Sequence, residues 1–126
     1  KHNEDFYTSL CHSFPDQYFD WKITALFYCA YHLIQALAEH RDINIGDRHT
    51  NIMWNLNPKN PNRPMQFKSK AFNNYDMLFE YSWQARYEGI TNDYLAWNEI
   101  RKADYKHAVN LYAYLKSYIA SEGVTI

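Results

Sequence analysis

Glycine, proline and cysteine are scarce in this chain, with 3, 4 and 2 residues respectively. None of the glycines belongs to a phosphate-cradling loop, and there is neither a GxSxG element nor a cysteine-histidine spacing suited to nucleophilic catalysis. Cys11 and Cys29 are too few for a disulfide scaffold and form no CxxC element, so they read as a pair of small buried thiols. Charge of one sign is also lacking: 13 Lys and Arg face 14 Asp and Glu, for a formal charge of -1. That balance gives no strong attraction to nucleic acid or an anionic membrane and leaves only local basic patches open. No long hydrophobic run appears either. The least polar stretch, ITALFYCAYHLIQALA, is interrupted by His32 and Gln35 and falls short of a membrane span. With no signal-peptide pattern at the start, a soluble cytoplasmic protein without membrane contact is expected. The first residue is Lys1 rather than Met, as expected of a trimmed or partial chain.

What is abundant is aromatic surface: 12 Tyr, 4 Trp and 7 Phe. Buried tyrosine hydroxyls and indole N–H groups need polar partners, a demand met by a wet pocket or by a self-association face. A length of 126 residues suits one domain with one sizeable core, spanning 1–126.

Apolar periodicity predicts helices throughout. A short one covers 4–12 with Phe6, Leu10 and Phe14 inward, ended by Pro15. Asp20 is the expected cap of a helix from Trp21 to about His40, whose core face carries Ile23, Leu26, Phe27, Ala30, Leu33, Ile34 and Leu37. Trp21, Tyr28, His32, Gln35 and Glu39 form its other side, a stripe too aromatic to be merely solvated. A polar connection over 41–48 contains Gly46 and leads to a short helix from near Asp47, with Ile52, Met53 and Leu56 available for packing. The segment NPKNPNRP (57–64) is turn-rich and is expected to be a mobile or variable loop.

A third helix runs from about Ser69 to Tyr87 with Gly89 as its stop, burying Ala71, Phe72, Tyr75, Leu78, Phe79, Ser82 and Ala85. The last helix covers roughly Tyr94 to Ala120, with Ile100, His107, Ala108, Leu111, Leu115 and Tyr118 in its apolar arc. The expected fold is all-α: an antiparallel helical bundle of three long helices plus short ones.

Arg86 is the residue out of place. It follows Ser82 by one turn and shares the inward arc of Tyr75, at the helix end where the dipole favours a cation. Two roles are open to it: bridging helix ends, or contacting an anion or phosphate with its planar donor fork. His32 is either hydrogen-bonded between helices or faces a ligand together with Tyr28 and Glu39. His49 opens the short helix, where free backbone N–H groups can hold an anion. A metal site would need three or more converging ligands, for which His32, His49 and His107 are the available set. With no HxxxH or HExxH pair, no metal or cofactor is expected.

The succession DWKITALFYCAYHLIQALAEH, DRHTNIMWNL and YDMLFEYSWQARYEG, followed by a long terminal helix, resembles the HEPN superfamily of small helical-bundle domains over about residues 19–119. Such proteins are often dimeric. Many are metal-independent ribonucleases of toxin–antitoxin, phage-defence or RNA-processing systems, and others bind nucleotides or serve as partner modules. In active members an Arg followed after four to six residues by a His supplies the site, and RKADYKH carries that spacing as Arg101 and His107. On one helix these two side chains stand about 120° apart, so one should face the core and the other its edge. The resemblance implies attack of an RNA 2′-hydroxyl on the adjacent phosphate, His107 moving the proton and Arg101 stabilising the phosphoryl charge. Arg86 would hold a further phosphate, with Tyr28 or Tyr87 stacking a base and His32, His49, Tyr75 and Ser82 completing the binding set. A noncatalytic dimerisation or protein-partner module is the alternative, and a metal-dependent bundle enzyme using His32 and His49 a third.

Overall fold

Three stretches free of both glycine and proline, 16–45, 65–88 and 90–122, supply the long helices. The computed structural model describes residues 2–87 and 94–126. In it α2 spans Phe19–His40, α4 Ser69–Tyr87 and α5 Tyr94–Ser121, accompanied by the shorter α1 (His2–Ser13) and α3 (His49–Leu56). Among the described residues there is no strand, and no helix is long and apolar enough to cross a membrane. Gly89, the expected stop of α4, lies outside the described residues.

Side-chain pairings give the topology. Phe19 meets Tyr105 near the start of the shared span, and Arg41 meets Glu122 at its end, so α2 and α5 run in the same direction. Tyr81 meets His107 while Lys70 meets Tyr114, so α4 is antiparallel to α5 and hence to α2. The core fills the space between these three: Ile23, Leu26, Ala30, Ile34 and Leu37 recur every three or four residues along α2 and are fully or almost fully buried. They pack with Tyr75 and Leu78 of α4 and with Leu111, Leu115 and Ile119 of α5. Ile52 and Leu56 of α3 close one end, as the spacing predicts.

Local differences from the expected pattern have physical causes. Asp20 does not cap α2. The helix begins two residues earlier, at Phe19 after Tyr18, whose φ of 60° is left-handed, and Asp20 sits in the first turn, where the dipole favours its charge. Phe6 on α1 and Phe14 just after it are exposed, and the inward side of the helix is carried by Tyr7, Leu10 and Cys11. The α5 arc is rotated by one residue: Ile100 and His107 are exposed, whereas Arg101, Ala108, Leu111, Tyr112, Leu115 and Ile119 are buried. Leu33 and Tyr118 are only half-buried.

The 57–64 loop is held rather than loose. Asn60 is buried, its amide donates to the Trp54 carbonyl, and its Oδ1 accepts from the Asn62 N–H. Arg63 donates to the Pro58 carbonyl, and Met65 and Phe67 just beyond enter the core. Asparagine side chains thus replace the backbone ladder that prolines remove.

The connection between α2 and α3 positions the start of α3. Gly46 has φ of 84°, a left-handed value suited to glycine, and its carbonyl accepts a 2.7 Å hydrogen bond from Gln35. The Tyr31 hydroxyl donates to the Asp47 carbonyl at 2.6 Å. These two α2 side chains fix the approach to α3 and with it the position of His49.

Candidate functional site

The α2 stripe, the start of α3 and the second half of α4 line an open cavity of about 560 Å³. That size is within the range of about 300–1,000 Å³ typical of small-molecule sites. Tyr28, Tyr31 and His32 line it from α2, Asp47 and His49 from the α3 entry. Phe79, Trp83, Arg86 and Tyr87 line it from α4, with Phe27 at its base. Aromatic rings therefore form most of the wall, around a small number of polar groups.

Arg86 is half-buried and its donors are oriented by uncharged groups. Its Nε donates to the Ser82 carbonyl at 3.2 Å, Nη2 to Ser82 Oγ at 3.2 Å and Nη1 to the Tyr28 hydroxyl at 3.3 Å. Ser82 Oγ in turn donates to the Phe79 carbonyl, which fixes it as an acceptor for the guanidinium. The guanidinium carbon stands 5.3 Å from the Tyr87 ring centre and 5.8 Å from that of Tyr28, distances at which a ring face attracts a cation. Among the described residues no carboxylate pairs with it. Three of its five N–H groups are engaged, and the other two have no acceptor among the described residues.

His49 stacks on Phe79, with ring centres 3.6 Å apart, and its Nδ1 lies 3.3 Å from the Tyr75 hydroxyl. Burial holds its pKa below the ordinary 6.5; the Arg86 charge lowers it further and Asp76 partly opposes both. The imidazole is therefore neutral at pH 7. Tyr75 is completely buried, burial pushes its phenol pKa well up, and its hydroxyl has His49 as its one hydrogen-bond partner. When the phenol donates to Nδ1, the imidazole carries its own hydrogen on Nε2. In that tautomer Nε2 is an uncharged N–H donor and not a free lone pair.

Of the residues singled out by sequence, Tyr28, His32, His49, Arg86 and Tyr87 converge on this cavity. Tyr75 and Ser82 do not line it, but they are hydrogen-bonded to His49 and Arg86, which do. His32 is exposed, edge-on to Tyr31, and makes no interhelical hydrogen bond among the described residues. Tyr31, Asp47 and Trp83 were not singled out by sequence for this role. Trp83 had a legible signal, since it lies one turn from both Phe79 and Tyr87 on the same helix.

Arg101 and His107 lie elsewhere, neither of them lining the cavity. The Arg101 guanidinium is buried, 3.4 Å from the Asp104 carboxylate and over the Trp97 ring. His107 is exposed, and its Nδ1 lies 2.7 Å from the Tyr81 hydroxyl. The core-versus-edge division expected of a six-residue separation is what the helix displays. Among the described residues no three His, Cys, Asp or Glu side chains gather with the geometry of a metal site, and His107 is remote from the cavity that His32 and His49 share.

No protein-family model, no curated protein and no solved structure matches this chain.

Proposed function

We propose that this chain is a HEPN-like domain that binds RNA or a nucleotide in the α2–α3–α4 cavity, with Arg86 taking a phosphate. The observation that carries this reading is the guanidinium itself: half-buried, pre-oriented by Ser82 and Tyr28, and without a carboxylate partner among the described residues. A fork held in that way costs little ordering entropy when an anion arrives. The neutral His49 N–H adds a second donor, and Tyr28, Tyr87 and Trp83 offer ring faces to a base. Asp47 repels phosphate but accepts from a ribose hydroxyl or a base N–H.

Binding is favoured over cleavage by the same geometry. The neutral His49 keeps its proton on the ligand side, and Arg101 is turned into the protein against Asp104. The test is calorimetric titration with single-stranded RNA and mononucleotides, beside incubation with mixed RNA with and without chelator. Micromolar to millimolar binding abolished by Arg86→Ala, with RNA left intact, is expected. No binding to any of these overturns the reading. Chelator-resistant cleavage lost on His107→Ala would assign the activity to Arg101 and His107 instead. Because Arg86 is the one lining residue with a fixed positive charge, log K against log salt should fall with a slope near −0.7, the value for about one single-strand phosphate.

A noncatalytic homodimer or protein-partner module is the second reading. Its support is the exposure of Trp21, Trp83 and Tyr87 beside the cavity. Sedimentation of Trp83→Ser against the native chain separates the two, since a monomer in both removes the dimer.

A further inference from the structure

Arg86 and Tyr87 are walls of two clefts, not one. On the far side of them from the main cavity lies a second hollow of about 240 Å³, lined by Asp20, Trp21, Thr24 and Ala85. Trp21 is 56% exposed there. The first turn of α2 and the last turn of α4 form it, brought together because the two helices are antiparallel.

The charges are arranged in a specific order. Asp47 belongs to the first cleft, Asp20 to the second, and the cation Arg86 stands between and faces both. A chain of phosphates, as in a nucleoside di- or triphosphate, would extend from Arg86 toward one of the two carboxylates and be repelled. A single phosphate flanked on each side by an uncharged, donor-bearing unit matches the pattern. Each cleft also carries an aromatic surface: Tyr28 and Trp83 in the first, Trp21 in the second, with Tyr87 shared. The Thr24 hydroxyl spends its proton on the Asp20 carbonyl and keeps its lone pairs, so Thr24 Oγ1 and the charged Asp20 carboxylate are the side-chain acceptors of the second cleft.

We infer that the ligand is a single-stranded oligonucleotide bound as a dinucleotide step: one nucleoside in each cleft and the phosphodiester between them on Arg86. This rests on the RNA or nucleotide reading above and narrows it, excluding free mononucleotides and polyphosphates as the preferred class. Trp21 stacks the second base, and Asp20 accepts from that base's amino group or its ribose hydroxyl.

The test compares three probes on the full chain by calorimetry: AMP, ADP, and the dinucleoside monophosphate ApA carrying a 2′-O-methyl group that prevents cleavage. ApA should bind on the order of ten-fold more tightly than AMP although it carries less charge, because one more base is stacked. ADP should bind no better than AMP. Trp21→Ala should remove the ApA advantage and leave AMP unchanged, and Asp20→Asn should strengthen ADP binding alone. Circular dichroism of each variant checks that helix content is kept. Equal affinity for ApA and AMP, or an equal loss for both in Trp21→Ala, overturns the two-cleft inference while leaving nucleotide binding at Arg86 standing. If none of the three probes binds, the broader reading fails and takes this one with it.

Discussion

Replacing Arg86 separates its two roles, bridge between helices or contact for an anion, because the structure gives each a different magnitude. Of its three hydrogen bonds, two return to Ser82 on its own helix, and one, to the Tyr28 hydroxyl at 3.3 Å, reaches another helix. Loss of that bond is worth about 1 kcal/mol. Its place in the last turn of α4 adds about 0.3–1 kcal/mol through the helix dipole. Contacts with the Tyr28 and Tyr87 rings are offset by relief from burying a charge that has no carboxylate partner. Arg86→Gln should therefore lower stability by roughly 1–2 kcal/mol, read from urea denaturation.

Ligand binding should respond far more strongly. A charge-assisted hydrogen bond to a phosphate contributes about 1.5–3 kcal/mol, so affinity for a dinucleoside monophosphate should fall by about 10- to 150-fold in the same variant. Arg86→Lys keeps the charge but not the planar fork, and should recover stability while restoring only part of the affinity. A stability loss above about 4 kcal/mol in Arg86→Gln, with affinity unchanged, would make Arg86 an interhelical clamp and remove the support for a phosphate site.

Three further outcomes test the surrounding structure. His49 has its pKa held below 6.5, so the native state binds fewer protons than the unfolded chain. Its contribution to stability is full above about pH 6.5 and is lost as pH falls through the lower native value, and His49→Gln should flatten the decline in Tm between about pH 7 and pH 5; an unchanged slope would refute this. Lys22 is 2% exposed and donates to the Phe14 and Pro15 carbonyls at 2.6 and 3.2 Å, so Lys22→Met should cost roughly 1.5–3 kcal/mol in chemical denaturation and raise amide exchange in α1, whereas a neutral variant would mean that burying the charge outweighs its bonds. Glu4 accepts from Tyr112 at 2.9 Å and pairs with Lys116 at 2.5 Å, and the Lys116 hydrogen bond chiefly holds its pKa below 4.5. Both ends of that pair are partly solvated, so Glu4→Gln should cost no more than about 1 kcal/mol near neutral pH, and the difference from the native chain should vanish on acidification below about pH 4.5.

Helical phase was the part of this molecule most open to reading. The stripe of Tyr28 and His32 on α2 and the inward arc of Tyr75, Ser82 and Arg86 on α4 follow from residue spacing alone, and they meet once two helices pack. On α5 the same reasoning missed by one residue, because Ile100 is apolar yet exposed and Arg101 is charged yet buried. Lys22 gave no sign of its burial, since its partners are backbone carbonyls seven and eight positions upstream, at a bend only the fold creates. Likewise, Asp20 and Asp47 flank Arg86 only because α2 and α4 are antiparallel and the Gly46 turn returns the chain beside them.

The two inward arginines show where sequence does distinguish a structural charge from an available one. Arg101 has Asp104 one turn ahead on its own helix, and the two pair at 3.4 Å. Charge neutralisation within the helix lets a buried guanidinium serve packing, here against Trp97. Arg86 has Ser82 and Trp83 one turn behind and Gly89 and Ile90 at the corresponding positions ahead, so none of its one-turn neighbours is acidic. An inward cation without an acid at that spacing is left to uncharged acceptors, ring faces and water, or to a negative charge on another element or outside the chain. Among the described residues no other element supplies one. That absence is what the proposed phosphate contact rests on, and the aromatic walls around Arg86 would suit an anion that carries a flat ring.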